Sequence, residues 1–253
     1  LHCAVKHRCY RGSRLQTVLC VLSTRLHRAL KTYSRLHYIT LTDFNRQKLL
    51  ALKQIPPENV SVKPNFVEPS ETIVPYAARE NQVVYIGRLD ALKGIRLLLE
   101  AWARYERSGG GMKLIICGTG SEEAWCREYL TREKLKQAEL RGFVPNSAAR
   151  ALMGQSKALI LPTQWYEGFP MILAEAMAIG CPVVSTNIGN AGDILVNSKG
   201  GTTFEPDKPD TFINAIEDVL QNNKIYQKNA LAYYSETLSK DKNYVLQNDI
   251  YEH

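Results

Sequence analysis

From Val83 onward the chain alternates short apolar runs with helix-length segments, and this alternation restricts the fold more than any other feature of its 253 residues. The runs occupy positions 83–86, 114–117, 158–161 and 182–185, each bounded by glycine, proline or polar residues. Between them, positions 94–107, 122–136, 147–155 and 171–179 carry helical patterning. Strand and helix in regular succession predict an α/β fold with a doubly wound parallel sheet. Such sheets take their ligands beyond the carboxyl ends of the strands, and every candidate residue named below falls in a loop or helix start at that end.

The first seventy residues read differently. Helical spacing over 17–36 leads into a short strand at 38–41; Thr42 or Asp43 then caps a helix reaching about Gln54, and a second strand follows at 60–63. Pro64-Asn65-Phe66-Val67-Glu68-Pro69 and the polar stretch to about Gln82 lack periodicity and read as an interdomain linker, which sets a boundary near residue 70. The first residues, beginning at Leu1, read as the middle of a longer chain.

Hydrophobic residues at 45% and charged residues at 23% exclude a disordered or fibrous chain. The net charge of +7 is concentrated at one end, where Lys and Arg outnumber Asp and Glu by 13 to 5 up to residue 80. The run Lys6, Arg8, Arg11, Arg14, Arg25, Arg28, Lys31 and Arg35 suits an anionic membrane surface or a polyphosphate lipid; a solvated basic helix face accounts for it equally well. No nucleic-acid motif accompanies it. No apolar run approaches the roughly 18 residues of a membrane span, and the start lacks a signal-peptide pattern, so the default compartment is the cytoplasm. The cysteines at 3, 9, 20, 117, 126 and 181 read as buried reduced thiols, and the spacing of His2, Cys3, His7 and Cys9 matches no standard zinc pattern.

Three segments carry chemistry. In Gly87-Arg88-Leu89-Asp90-Ala91-Leu92-Lys93-Gly94, a glycine admits close backbone approach while Arg88, Lys93 and a helix start bring positive charge to one place. That combination suits a diphosphate, and an ordinary strand-to-helix turn with surface cations is the alternative. Cys117-Gly118-Thr119-Gly120-Ser121 is a second glycine turn, with Ser121 positioned to cap the following helix; it lacks the third glycine of a dinucleotide fingerprint. The third runs from Glu167-Gly168-Phe169-Pro170 through the helix carrying Glu175 to Gly180 and the Pro182-Val183-Val184 strand start. Glu167 in the loop and Glu175 in the helix's second turn offer carboxylates for sugar and ribose hydroxyls. A core acid satisfied by an arginine or a backbone amide is the alternative for Glu175.

With these motifs assembled, the chain resembles family 4 of the glycosyltransferases, a group of retaining enzymes with the GT-B fold of two facing Rossmann-like domains. The double-glutamate segment 167–184 carries the likeness most strongly, and Gly87-Arg88-Leu89 with downstream Lys93-Gly94 stands in the same order and distance. Cys9-Tyr10-Arg11-Gly12-Ser13-Arg14 and Lys63-Pro64-Asn65-Phe66-Val67 further resemble the acceptor domain of bacterial surface-polysaccharide members.

The resemblance implies a remnant acceptor domain over 1–70, a donor domain over 71–236 and a C-terminal helix over 237–253 crossing back to the first domain. It implies that Arg88 and Lys93 bind the donor diphosphate beside Gly87 and Gly118, that Glu167 contacts the transferred sugar, and that Glu175 contacts the ribose. Phe143 and Val144 would lie beside the base, and Gly168 with the amides of Phe169, Met171 and Ile172 beside the sugar and phosphates. A UDP- or GDP-linked sugar is the implied donor, a polysaccharide or lipid-linked glycan the acceptor, and no metal is expected. The family's glycine-rich loop and histidine in the acceptor domain have no recognisable counterpart here, so a donor-binding module without turnover is a second reading. An epimerase or phosphorylase of the same fold is a third.

Overall fold

The structure, a computed structural model, describes residues 2–70, 72–208 and 210–252. It divides into two compact units, Leu1–Lys63 and Pro64–His253.

The first unit contains helices α1 (His2–Lys6), α2 (Arg14–Ala29) and α3 (Asp43–Leu50), with strands β1 (Tyr38–Thr40) and β2 (Val60–Val62) paired in parallel. Ser13 caps α2 and Thr42 caps α3, each accepting from the amide three residues on. α2 stops at Ala29, ahead of the expected position 36, because Lys31 takes a left-handed conformation and the next residues form a 3-10 turn, Thr32–Arg35. Of α2 only Thr17 and Val21 are buried, while the eight cations of the basic run stand exposed.

The second unit is built on six parallel strands: β3 (Gln82–Ile86), β4 (Lys113–Cys117), β5 (Ala138–Gly142), β6 (Ala158–Leu161), β7 (Val183–Thr186) and β8 (Gly201–Phe204), ordered β5-β4-β3-β6-β7-β8. Alternate side chains go to opposite faces, as the pleat requires. Val83, Tyr85, Leu114 and Ile116 pack under α4 (Ile95–Arg107), α5 (Glu123–Arg132) and α9 (Asp210–Gln221), where Trp102 and Phe212 are fully buried. Val84, Ile115, Leu159 and Val183 pack under α6 (Asn146–Gln155), α7 (Met171–Ile179) and α8 (Gly189–Ser198). Both faces are covered, which is why these strands read as continuous apolar runs. Truncating Trp102 to Ala would remove roughly 3–5 kcal/mol of stability.

The chain closes with α10 (Asn223–Tyr233), a π-helical turn (Tyr234–Leu238) and α11 (Lys240–Glu252). These elements explain why the units divide at Lys63–Pro64, ahead of the expected boundary near 70. Buried Asn243 donates to the Pro64 carbonyl at 2.5 Å, and the Val67 amide donates to the Leu238 carbonyl at 3.2 Å. The Pro-rich segment is thereby tied to the C-terminal helices. Among the described residues no helix is long and apolar enough to cross a membrane.

Candidate functional site

The strand order reverses direction at β3 and β6: β4 and β5 extend to one side of β3, β7 and β8 to the other side of β6. Loops leaving β3 and β6 must therefore diverge onto opposite faces, opening a crevice between them at the carboxyl end.

The β3 loop is held by its neighbours on both sides. The Gly87 amide donates to the Cys117 carbonyl at 3.0 Å and the Leu89 amide to the Thr119 carbonyl at 2.9 Å, with the Leu89 side chain fully buried. Gly118, at φ +144°, sits so close that a Cβ on it would lie 1.8 Å from the Gly87 carbonyl oxygen. Gly94, at φ +77°, starts α4 where a Cβ would lie 1.7 Å from the Pro162 carbonyl oxygen, so the loop nests directly on the end of β6. Only glycine fits either position.

Five of the sequence-predicted residues, Gly87, Arg88, Gly118, Phe143 and Val144, line one cleft of about 390 Å³. Phe143 is 76% exposed at its edge, and Val144 packs back toward the core. Arg88 pairs with Asp90 at 3.0 Å and keeps 75% of its side-chain surface in solvent, so its guanidinium stays accessible to an anion. Buried Cys117 forms part of the wall, and its desolvation raises the thiol's pKa, with Arg141 opposing. Ser121 does not cap α5: Glu122 occupies the cap position, and the Ser121 hydroxyl donates to Asp90 instead, at 3.2 Å.

Across the crevice, the β6 loop brings Glu167 to Lys93, with Nζ and Oε1 2.9 Å apart and the side chains 29% and 13% exposed. The Gln164 amide donates to the Leu92 carbonyl at 2.9 Å, a second tie between the two loops. Pro170 precedes α7 with its carbonyl receiving the amides of Leu173 and Ala174. The amides of Met171 and Ile172 stand in the first turn, where the helix supplies no acceptor. Phe169 and Ile172 pack their side chains against the core, and Gly168 is exposed.

Glu175 is half-buried in α7 and accepts from the Asn146 side-chain amide at 3.4 Å. Among the described residues it forms no ion pair with an arginine, which removes one of the two core-acid explanations. Its hydrogen bond is separate from both the Lys93–Glu167 pair and the glycine cleft. The sequence reading missed Asp90, Asn146 and Asn190. Asp90 lies inside the first motif, beside its cations; Asn146 opens α6 and Asn190 is the second residue of α8, with no motif to mark either.

Three of the six cysteines, Cys3, Cys9 and Cys20, are exposed, which corrects the expectation that all are buried. They lie on or beside α1 and α2, whose apolar positions are mostly uncovered within the described residues. Among those residues no three His, Cys, Asp or Glu side chains cluster as metal ligands would.

The model of the family described as "Glycosyl transferases group 1" matches residues 71–237. A glycogen synthase from Mycobacterium tuberculosis is 29% identical over 164 residues, which is 62% of this chain and 39% of the relative. The lipopolysaccharide 1,6-galactosyltransferase of Salmonella typhimurium is 27% identical over 212 residues, 81% of this chain and 58% of that one. The chain thus spans well under two thirds of these relatives. Among solved structures, Anabaena HepE in complex with UDP and glucose superposes with a TM-score of 0.68 at 19% identity, covering 90% of this chain and 66% of that one. At that identity the likeness shows the fold, which is that of the GT-B glycosyltransferases.

Proposed function

The chain belongs to the group 1 glycosyl transferases, and from that membership we propose that its second unit captures a nucleoside diphosphate sugar and presents it for retaining transfer to a polysaccharide or lipid-linked glycan. The observation that supports this reading is the Lys93–Glu167 pair across the switch point, a cation suited to a diphosphate beside a carboxylate suited to sugar hydroxyls.

In this reading Arg88 and Lys93 bind the diphosphate, Arg88 as a planar fork and Lys93 as a point charge. As the bond from the anomeric carbon to the diphosphate oxygen breaks, both cations offset the charge growing on the leaving group, in place of a metal. The acceptor hydroxyl attacks the anomeric carbon from the face the diphosphate leaves, and its proton passes to a diphosphate oxygen. Glu167 accepts from sugar hydroxyls and Glu175 from the ribose. Phe143 and Val144 flank the base, and the backbone from Gly168 to Ile172 supplies amides to the sugar and phosphates, Pro170 excepted.

UDP is the first donor nucleotide to test, because the solved HepE structure binds it; the galactosyltransferase relative supports a glycan acceptor. The exposed cations of the first unit suit an anionic membrane surface, with transfer at the cytoplasmic face. The experiment is transfer of labelled sugar from UDP-, GDP- and ADP-sugars to lipid-extracted acceptors in chelator, with the product's anomeric configuration read by NMR. Inverted product would overturn retention, and transfer that needs a divalent ion would overturn the cation-only mechanism. A second reading, donor binding without turnover, is favoured by the family match lying wholly within the second unit; it predicts binding with no transfer.

A further inference from the structure

We propose that Asn190 is a positioning residue for Glu167, latching the carboxylate-bearing loop to the start of α8 through its side-chain amide. The proposal rests on the reading of Glu167 as the group that contacts the transferred sugar.

β7 ends at Thr186, and α8 begins three residues later alongside the loop that leaves β6. Gly189, the first residue of α8, has φ +53°, and a Cβ there would lie 2.7 Å from Tyr166 Cδ1. The helix start therefore abuts the residue immediately before Glu167. One residue on, Asn190 is 1% exposed, and its Nδ2 donates to the carbonyl oxygens of both Glu167 and Gly168, the latter at 2.8 Å. A single amide nitrogen with two hydrogens thus bridges consecutive peptides and fixes the backbone at the Glu167–Gly168 junction.

Gly168 is exposed, with no heavy atom within 4 Å of where a Cβ would stand, and glycine leaves the backbone a wide choice of conformations. The position is also unfavourable for Asn on other grounds. Asparagine is a mediocre helix former, and here its side chain bonds another loop while Ile188, the cap residue of α8, provides no side-chain cap. A buried amide in that setting needs partners, and its Nδ2 finds two in the loop bearing Glu167. A direction error of a few tenths of an ångström at Glu167 would weaken its hold on the sugar, while the nucleotide would feel it only through a Lys93 less tightly paired.

The test compares Asn190→Ala and Asn190→Ser in the full chain by two measurements. In amide hydrogen exchange, Asn190→Ala should speed exchange across residues 164–169 at least tenfold and leave the amides of β3, β4 and β6 unchanged. In calorimetry with UDP, GDP and ADP and with their glucose conjugates, affinity for the free nucleotide should hold or rise, because a loosened Glu167 competes less for Lys93, while the gain conferred by the sugar falls about tenfold. Asn190→Ser keeps a short donor and should recover part of both effects; it serves alone if the alanine variant does not fold. Unchanged exchange over 164–169, or nucleotide and sugar-nucleotide affinities falling together in step with Tm, would overturn the latch. A wild-type chain that gains no affinity from any sugar would remove Glu167's assigned role, while the exchange result would still decide whether Asn190 holds the loop.

Discussion

Lys93 Nζ and Glu167 Oε1 lie 2.9 Å apart although 74 residues separate them, each on a loop leaving a different one of the two strands that flank the switch point. In the structure each neutralises the other. A diphosphate arriving at Lys93 must compete with this carboxylate, and a sugar hydroxyl arriving at Glu167 must compete with the ammonium.

The competition predicts opposite outcomes for the two partners. Glu167→Gln removes the competing charge, so binding of a nucleoside diphosphate without sugar should tighten by several-fold while the sugar's contribution declines. Lys93→Met should weaken both roughly tenfold or more, in line with about 1.5–3 kcal/mol for a hydrogen bond to a charged group. Calorimetric titration of the two variants against wild type checks the signs, and equal losses from both would contradict the pairing.

Gly94 and Gly118 hold the β3 loop in place by the absence of a side chain. Gly94→Ala would place a methyl 1.7 Å from the Pro162 carbonyl oxygen at φ +77°, and Gly118→Ala one 1.8 Å from the Gly87 carbonyl oxygen at φ +144°. Each should cost on the order of 3 kcal/mol in urea unfolding, combining backbone strain with a clash against rigid main chain. Gly109→Ala is the control: its φ is also positive, at +89°, but nothing lies within 4 Å, so its cost should be the smaller conformational part alone.

Glu175 and Asn146 form a contact of their own at 3.4 Å, apart from the ion pair. Glu175→Ala should weaken nucleotide binding about tenfold with the circular dichroism spectrum unchanged, because the residue is only half-buried and breaks no ion pair. Asn146→Ala, which removes only the orienting amide, should cost less. A Glu175→Ala chain that binds nucleotide normally would withdraw the ribose role.

The six thiols should separate by burial. Cys117, Cys126 and Cys181 are buried, and desolvation raises all three pKa values, those of Cys126 and Cys181 to about 11. Values of about 11 keep Cys126 and Cys181 protonated from pH 7 to 9 in the folded chain, and burial shields all three thiols from reagent. Iodoacetamide at pH 8 should therefore modify Cys3, Cys9 and Cys20 and spare the other three until denaturant is added, as intact-mass measurement would show.

The sheet was legible because its strands are buried on both faces. The runs at 83–86, 114–117 and 158–161 lie within β3, β4 and β6, and α7 matches its expected bounds. β5 and β8 were not legible. They are the two edge strands, half-exposed, and Ala138–Gly142 carries Glu and Arg where a central strand would carry Val or Ile. The same division holds at the site. Arg88, Lys93, Glu167 and Glu175 stood out because charged residues beside glycine turns or inside apolar helices demand a reason. Asn190 and Asn146 act through geometry between segments distant in sequence, and no local spacing reveals that. Gly94 could be seen as a turn residue, but its dependence on Pro162 could be seen only once β3 and β6 were placed side by side.

The central claim is that the crevice between the β3 and β6 loops receives a nucleoside diphosphate without a metal. Calorimetric titration of the intact chain with UDP, GDP and ADP in the presence of a chelator tests it most directly. Saturable one-to-one binding of one nucleotide is expected, weakened about tenfold or more by Lys93→Met and by Arg88→Ala and unaffected by exchanging Lys224, an exposed lysine of α10, for Met. Binding that appears only with a divalent ion, or that survives loss of both Arg88 and Lys93, would contradict it.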